Sequence, residues 1–332
     1  MTMDYTRLGH SGLQVSRLCF GAMTFGDARG LPGITGVDQA LAAEMVAAAL
    51  DAGINFFDTA DAYSNGVSEQ MLGKLLASQR RDLVIATKVG FPTGSAKTRR
   101  GLSRRHILAS CDTSLKNLGT DYIDLYIAHR DDPYTPLEET LDAFDSLVKA
   151  GKVRYLGFSN WSAWQSAKAL QFQRDHNLAT FINGQMYYSL VGREVEHEVL
   201  PFFVAEGVGM TVWSPLAGGY LSGKYTSARL AEDKGRLQTF DFPPIDRDLG
   251  ARLIATMEAL APRLDMSLSQ IAIAWLLAKT GVDSVLIGAT KLHQLADNLK
   301  AGARPLPAEV VEELDQLSAI PAIYPNWYQK LF

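Results

Sequence analysis

Asp58, Tyr63, Lys88 and His129 are the residues of this sequence whose types together could do chemistry. They supply a carboxylate, a phenol, an amine and an imidazole. A free phenol has a pKa of about 10 and is a poor acid at neutral pH. An ammonium beside it stabilises the phenolate and is expected to lower that value, and a carboxylate can hold the ammonium in place. Such a trio makes a tuned proton donor, suited to an oxygen that becomes an alkoxide as hydride reaches its carbon.

Each residue has a plainer reading when taken alone. Asp58 would cap the next helix, Lys88 would be a solvated surface amine, and His129 would be a satisfied core group. What they share is position. Asp58 ends the apolar run Ile54-Asn55-Phe56-Phe57, Lys88 ends LVIAT, and His129 ends IDLYIA; Tyr63 follows Asp58 by five positions in a polar turn.

These runs belong to a repeated pattern of a short β-rich stretch followed by a helical one. The strand candidates are residues 17–21, 55–58, 83–88, 123–129, 154–160, 180–185, 209–214 and 284–288. Helical periodicity marks 38–52, 68–78, 103–118, 136–150, 162–176, 195–206 and 269–279, with turns such as Asp51-Ala52-Gly53 between elements. Strict alternation with apolar strands implies a parallel sheet covered by helices. Eight strands in one chain of this length predict an α/β fold, a closed (β/α)8 TIM barrel spanning residues 1–332 as a single domain. Residues 5–15 read as a β-hairpin that closes the bottom of the barrel, and residues 215–246 as a long, functional loop after strand 7. Strand after strand ends on a polar group, and in a parallel barrel all those ends share one face, where such enzymes place their chemistry.

Composition bounds the partners. The chain has 332 residues, 47% of them apolar, and a formal charge of -4. No basic block or stripe is read in it, which argues against nucleic acid and anionic membrane surfaces. The longest uninterrupted apolar run, Ile271 to Ala278, is far short of a bilayer span. The N-terminus lacks the apolar core of a secretory signal. Cys19 and Cys111 make no disulfide framework, so the expected compartment is the cytoplasm.

The set resembles the tetrad of the aldo-keto reductase superfamily, and the resemblance runs along nearly the whole chain: GAMTFG, GINFFDTADAYSNGVSEQMLG, IATKVG, DYIDLYIAHRDD, GKVRYLGFSN, WSPLAGGYLSGKY and IGATKLHQLADN. The variant is similar to bacterial-type members and to the related potassium-channel β subunits. The resemblance implies carbonyl reduction or alcohol oxidation with a nicotinamide cofactor. It implies Tyr63 as general acid, Lys88 and Asp58 tuning it, and His129 binding the carbonyl oxygen. It also implies a cofactor site. Gly21 and Met23 would line it, and Ser159, Asn160 and Gln185 would hold the carboxamide. Trp213 would stack on the nicotinamide. Ser214, Leu216, Gly218, Ser222 and Lys224 would form the loop over the pyrophosphate, and Gly288, Thr290, Gln294 and Asn298 the adenosine end. NADPH/NADP is the expected cofactor, with NADH as the alternative. Some relatives carry a lysine where Gly288 stands; Thr290 and Lys291, with Arg229 or Arg236 from the long loop, are the candidates to hold a 2′-phosphate in its place.

The substrate expected is a small-molecule carbonyl or alcohol. Phe25, Phe91, Trp161 and Tyr187 are candidate pocket aromatics, with Phe240, Phe242, Tyr324 and Trp327 as further candidates, and the loop Gly26 to Gly36 reads as a lid. No metal site is expected, because His197-Glu198 lacks the second histidine of a zincin and the other histidines show no ligand spacing. Gly218 to Lys224 nearly matches a nucleotide-binding P-loop, but Tyr225 stands where the Mg²⁺-binding Ser or Thr belongs. Glycines followed by a lysine still suit a diphosphate. A rival of a different class is an NADP-binding, redox-sensing regulatory subunit of the channel-β type.

Overall fold

Chain segments 3–27, 36–225 and 241–329 are described by the structure, a computed structural model. Arg229, Arg236, Phe240 and most of the Gly26–Gly36 loop lie outside the described residues.

Two short strands, β1 (Tyr5–Arg7) and β2 (Gln14–Ser16), pair antiparallel. Eight more form a closed parallel barrel: β3 (Leu18–Gly21), β4 (Phe56–Asp58), β5 (Val84–Val89), β6 (Ile123–Ala128), β7 (Val153–Ser159), β8 (Phe181–Tyr187), β9 (Gly209–Trp213) and β10 (Val282–Ile287), with β10 pairing back onto β3. The helices between strands are α1 (Gln39–Asp51), α2 (Val67–Leu76), α3 (Arg104–Leu118), α4 (Leu137–Lys149), α5 (Ala163–Asp175) and α6 (Val199–Glu206). After β9 come α7 (Arg247–Leu264) and α8 (Leu268–Leu277), and after β10 come α9 (Leu292–Leu299) and α10 (Ala308–Leu317). The (β/α)8 barrel and its N-terminal hairpin are therefore as the sequence predicts.

Alternation along the strands divides the core in two. Leu18, Phe20, Phe57, Ile85, Tyr126 and Phe158 face outward and pack with the helices. Cys19, Phe56, Val84, Ala86, Leu125, Ile127 and Leu286 face inward and fill the barrel. Because side chains two apart share a face, Asp58 continues the inward row of Phe56, Lys88 that of Ala86, and His129 that of Ile127. The same period aims Gln185, Trp213 and Gly288 at the interior. This parity brings side chains scattered through the sequence to one mouth.

The hairpin stoppers the other end. Leu8 and Val15 join the inner cluster. The Gly9 amide donates to Asp283 at 2.7 Å, the His10 amide to the Gly207 carbonyl at 2.8 Å and the Ser16 amide to Asn55 at 2.7 Å. Gly9 has φ +56°, and a Cβ there would stand 2.5 Å from the Gly209 backbone nitrogen, so only glycine fits this approach. None of the described helices is long and apolar enough to cross a membrane.

Candidate active site

Lys88 is fully buried at the end of β5 and is bonded on three sides. It ion-pairs with Asp58, donates to the Thr59 carbonyl at 2.7 Å and reaches the Tyr63 hydroxyl at 3.3 Å. Adjacent strands place the pair, with Asp58 opposite Ala86 in the ladder. Tyr63 stands in the turn after β4, half-buried, and its ring meets that of His129 edge-on at 5.7 Å between centroids. His129 is buried; its Nδ1 has no hydrogen-bond partner, and its ring meets Phe91 edge-on at 4.6 Å.

The remaining polar strand ends extend this arrangement into a chain. Gln185 donates to the second Asp58 oxygen at 2.9 Å. The Ser159 hydroxyl donates to the Gln185 carbonyl at 2.8 Å, and Asn160 Nδ2 donates to Ser159 Oγ at 2.9 Å. Trp213 Nε1 donates to Asn160 Oδ1 at 3.0 Å. Asn160 and Ser214 both hold positive φ, 61° and 55°, which turns the chain sharply at two strand ends. The sequence reading gives Gln185 and Asn160 to a carboxamide. In the fold the Gln185 amide nitrogen braces the Asp58 carboxylate, a contact that no spacing in the sequence signals.

Burial and charge set the protonation states. Burial pushes the Tyr63 phenol above its ordinary value, and the Lys88 ammonium opposes that push without overcoming it. Lys88 thus acts in the expected direction, but loss of solvent outweighs it, so the net shift is upward and not downward as the sequence suggests. For Lys88 itself burial disfavours the charge, but Asp58 and Tyr63 outweigh it and hold the ammonium above its ordinary value. Burial, with Lys88 and Arg130 adding to it, drives His129 well below the usual histidine range, so its imidazole is neutral.

Across the mouth, Gly21 pairs with Asp58 at the end of β3, and Met23 is half-buried just beyond it. After β9 the chain turns through Ser214, whose hydroxyl accepts from the Gly218 amide at 3.1 Å. Leu216 is half-buried, Ser222 donates to the Gly219 carbonyl at 2.7 Å, and Gly218 and Gly219 hold φ of 67° and 91°. A Cβ on Gly219 would stand 3.1 Å from the Lys224 ammonium. A concave glycine turn under a cation fits the diphosphate of a dinucleotide. Thr290 and Gln294 are half-buried and Asn298 is buried beside β10, where Gly288 is exposed.

The four pocket aromatics divide. Phe91 and Tyr187 are half-buried at the mouth, and Tyr187 lies 5.1 Å from Trp213 between ring centroids. Phe25 is wholly buried against Phe20, and Trp161 is 3% exposed and stacked on Phe158, so both pack in the layer outside the barrel. Phe242, in contrast, lies nearly parallel to Trp213 at 5.9 Å. The described residues contain no group of three or more potential metal ligands.

Sequence reasoning missed Asp61. It is 5% exposed, and among the described residues its carboxylate has only the partial support of the Ser110 side chain and the Ala62 backbone. Burial, then the Glu69 charge, pushes its pKa up to about 8. Its place inside DTADAY, three residues after Asp58, was the available signal.

Comparison with known proteins points to one family. The model of the aldo/keto reductase family matches residues 17–319. A probable voltage-gated potassium channel subunit beta of Oryza sativa subsp. japonica is 37% identical over 328 residues, covering 96% of this chain and 96% of its own. A protein of Arabidopsis thaliana with the same description is 37% identical over 308 residues, covering 90% and 91%. An uncharacterized oxidoreductase of Bacillus subtilis is 37% identical over 335 residues, covering 95% and 96%.

Proposed function

The chain belongs to the aldo/keto reductase family, and from that premise we propose that it interconverts an aldehyde or ketone and the alcohol, using NADPH/NADP, with Tyr63 as general acid. The observation that carries the reading is the buried bond chain from Asp58 through Lys88 to Tyr63, ending beside a neutral His129.

The roles follow from the contacts. A carbonyl oxygen set between the Tyr63 hydroxyl and the His129 ring receives the phenolic proton. Lys88, 3.3 Å from that hydroxyl, stabilises the phenolate left behind. Asp58 fixes Lys88, and Gln185 fixes Asp58 through its other oxygen at 2.9 Å. Preorganised charge in a dry site costs no reorganisation when the proton moves. The dinucleotide, when bound, supplies or accepts the hydride. Ser214, Gly218, Ser222 and Lys224 would hold its diphosphate, and Trp213 would pack on its nicotinamide. In the alcohol-oxidising direction Tyr63 takes the proton back.

NADPH is the expected donor, because Thr290, Lys291 and, outside the described residues, Arg236 supply groups for a 2′-phosphate. The check is kcat/KM with NADPH and NADH on one aldehyde, read by cofactor absorbance. NADPH is expected to be favoured at least about tenfold, the scale of one charge-assisted contact; a preference for NADH would reverse the assignment.

A second reading is favoured by the names of the plant relatives. In it the chain holds NADP as a redox-sensing subunit and turns over little. Repeated turnover on a small aldehyde separates the two.

A further inference from the structure

The net charge of -4 hides a local reversal. Lys97, Arg99, Arg100, Arg104 and Arg105 put five cations into nine residues, so the expectation that no basic block is present fails at this place. They lie in the β5–α3 connection and the first turn of α3, which leave the barrel at the catalytic mouth.

This connection is built, not trailing. The Gly101 amide donates to the Gly90 carbonyl at 2.9 Å, the Thr93 amide to Arg99 at 3.1 Å and the Arg99 amide to Ala96 at 3.0 Å. Its Phe91 lies against His129, and the Arg130 guanidinium lies over the Phe91 ring, 5.5 Å from its centroid. The loop is therefore pinned beside the imidazole.

Its cations outnumber the acids beside them. No Asp or Glu occurs between Gly90 and Ser103. Lys97, Arg99, Arg100, Arg104 and Arg105 are exposed and form no ion pair with the described residues. Acids do border the segment: Asp132 accepts from Leu102, Tyr134 and Thr135 and lies near Arg130, and Glu139 accepts from the Arg104 amide. Asp131 follows Arg130 directly in the chain, so these three acids stand against six cations. Two arginines also stand at the start of α3, where the helix dipole disfavours cations. A surplus of like charge held in a fixed loop suits an anion that arrives from outside.

Barrel order says which anion. β5 and β9 stand four strands apart in a ring of eight, so they are opposite each other. The glycine turn suited to the dinucleotide diphosphate follows β9, and the adenosine candidates follow β10. The basic loop follows β5, on the Tyr63–Lys88–His129 side where the carbonyl would sit. We propose that Arg99 and Arg100, with Arg130, bind a phosphate or carboxylate carried by the substrate, making the preferred substrate an anionic aldehyde or ketone. This deepens, and rests on, the reductase reading above.

Two matched pairs test it: glyceraldehyde 3-phosphate against glyceraldehyde, and 4-carboxybenzaldehyde against 4-methylbenzaldehyde, each with NADPH. The anionic member of at least one pair is expected to have a kcat/KM higher by about tenfold at low salt, carried by KM, and the pair that responds identifies the anion. About 0.5 M KCl should shrink that preference, as screening requires. Arg99→Gln/Arg100→Gln should lower the anionic-to-neutral ratio by about fivefold. Equal kcat/KM within both pairs, with the neutral aldehydes turned over, would overturn the inference and leave the reductase reading standing. A ratio unchanged in the double variant would remove the loop from the site. No NADPH consumption with any of the four would remove the reductase reading, and the inference with it.

Discussion

Burial holds the Tyr63 proton in place, raising the phenol above its ordinary value of 10.0 against the pull of Lys88. At His129 burial acts in the same physical direction, against charge, and so empties the ring of its extra proton. Two candidate acids are thereby sorted: the phenol is protonated at neutral pH and the imidazole is not. The reductive kcat/KM at saturating cofactor should therefore run flat from about pH 7 to about pH 9, because neither group titrates there. Asp61 does titrate in that interval, at about 8, so the profile is read in Asp61→Asn as well; a fall in rate that persists in that variant would mean that the proton donor is a group with a lower pKa, and Tyr63 would lose the role. Tyr63 and Lys88 were legible in the sequence as a pair, but not the sign of the shift, because the degree of burial is a property of the packed fold.

At the scale of elements, β4, α2 and α3 enclose a carboxylate the chemistry does not use. Asp61 follows β4, and Glu69 on α2 is its charged neighbour. Glu69 is served by Thr87 at 2.6 Å and Asn117 at 2.9 Å, while at Asp61 the Ser110 side chain and the Ala62 backbone relieve burial only in part. With a folded pKa of about 8 and an ordinary value of 3.8, Asp61 keeps its proton in the folded state while the unfolded chain loses it. The folded state then binds more protons than the unfolded one, so stability falls as pH rises through that window. Asp61→Asn keeps the shape without the charge. Its melting temperature should be close to the wild type near pH 5 and exceed it by about 2–6 °C near pH 9; parallel curves for the two proteins would show that Asp61 is satisfied and ionised. The elements themselves were largely legible, since alternating β and α patterns give the parallel barrel. α7 was not read, although Asp246 caps it and Leu253, Ile254, Met257 and Leu260 form its buried stripe. It begins directly after residues 215–246, whose sequence offers no clear period to phase it.

Taken whole, the barrel collects strand ends at one mouth and stoppers the other with a hairpin. Parity along each strand decides which residues meet, and that made Asp58, Lys88 and His129 readable together. Cross-barrel bonds such as Gln185 to Asp58 were not readable, because 127 residues separate the partners. Phe25 and Trp161 were misplaced for a related reason: an aromatic beside a strand end can turn into the outer layer as readily as toward the mouth. The relatives span the whole barrel, yet their names divide between a channel subunit and an oxidoreductase, so turnover is the deciding property. The most direct measurement counts NADPH oxidised per chain on a small aldehyde by the wild type and by Tyr63→Phe, with cofactor binding measured on both. The account predicts many turnovers for the wild type, a rate lower by roughly two to four powers of ten for the variant, and retained cofactor binding. A variant that turns over at nearly the wild-type rate near pH 7 would contradict it.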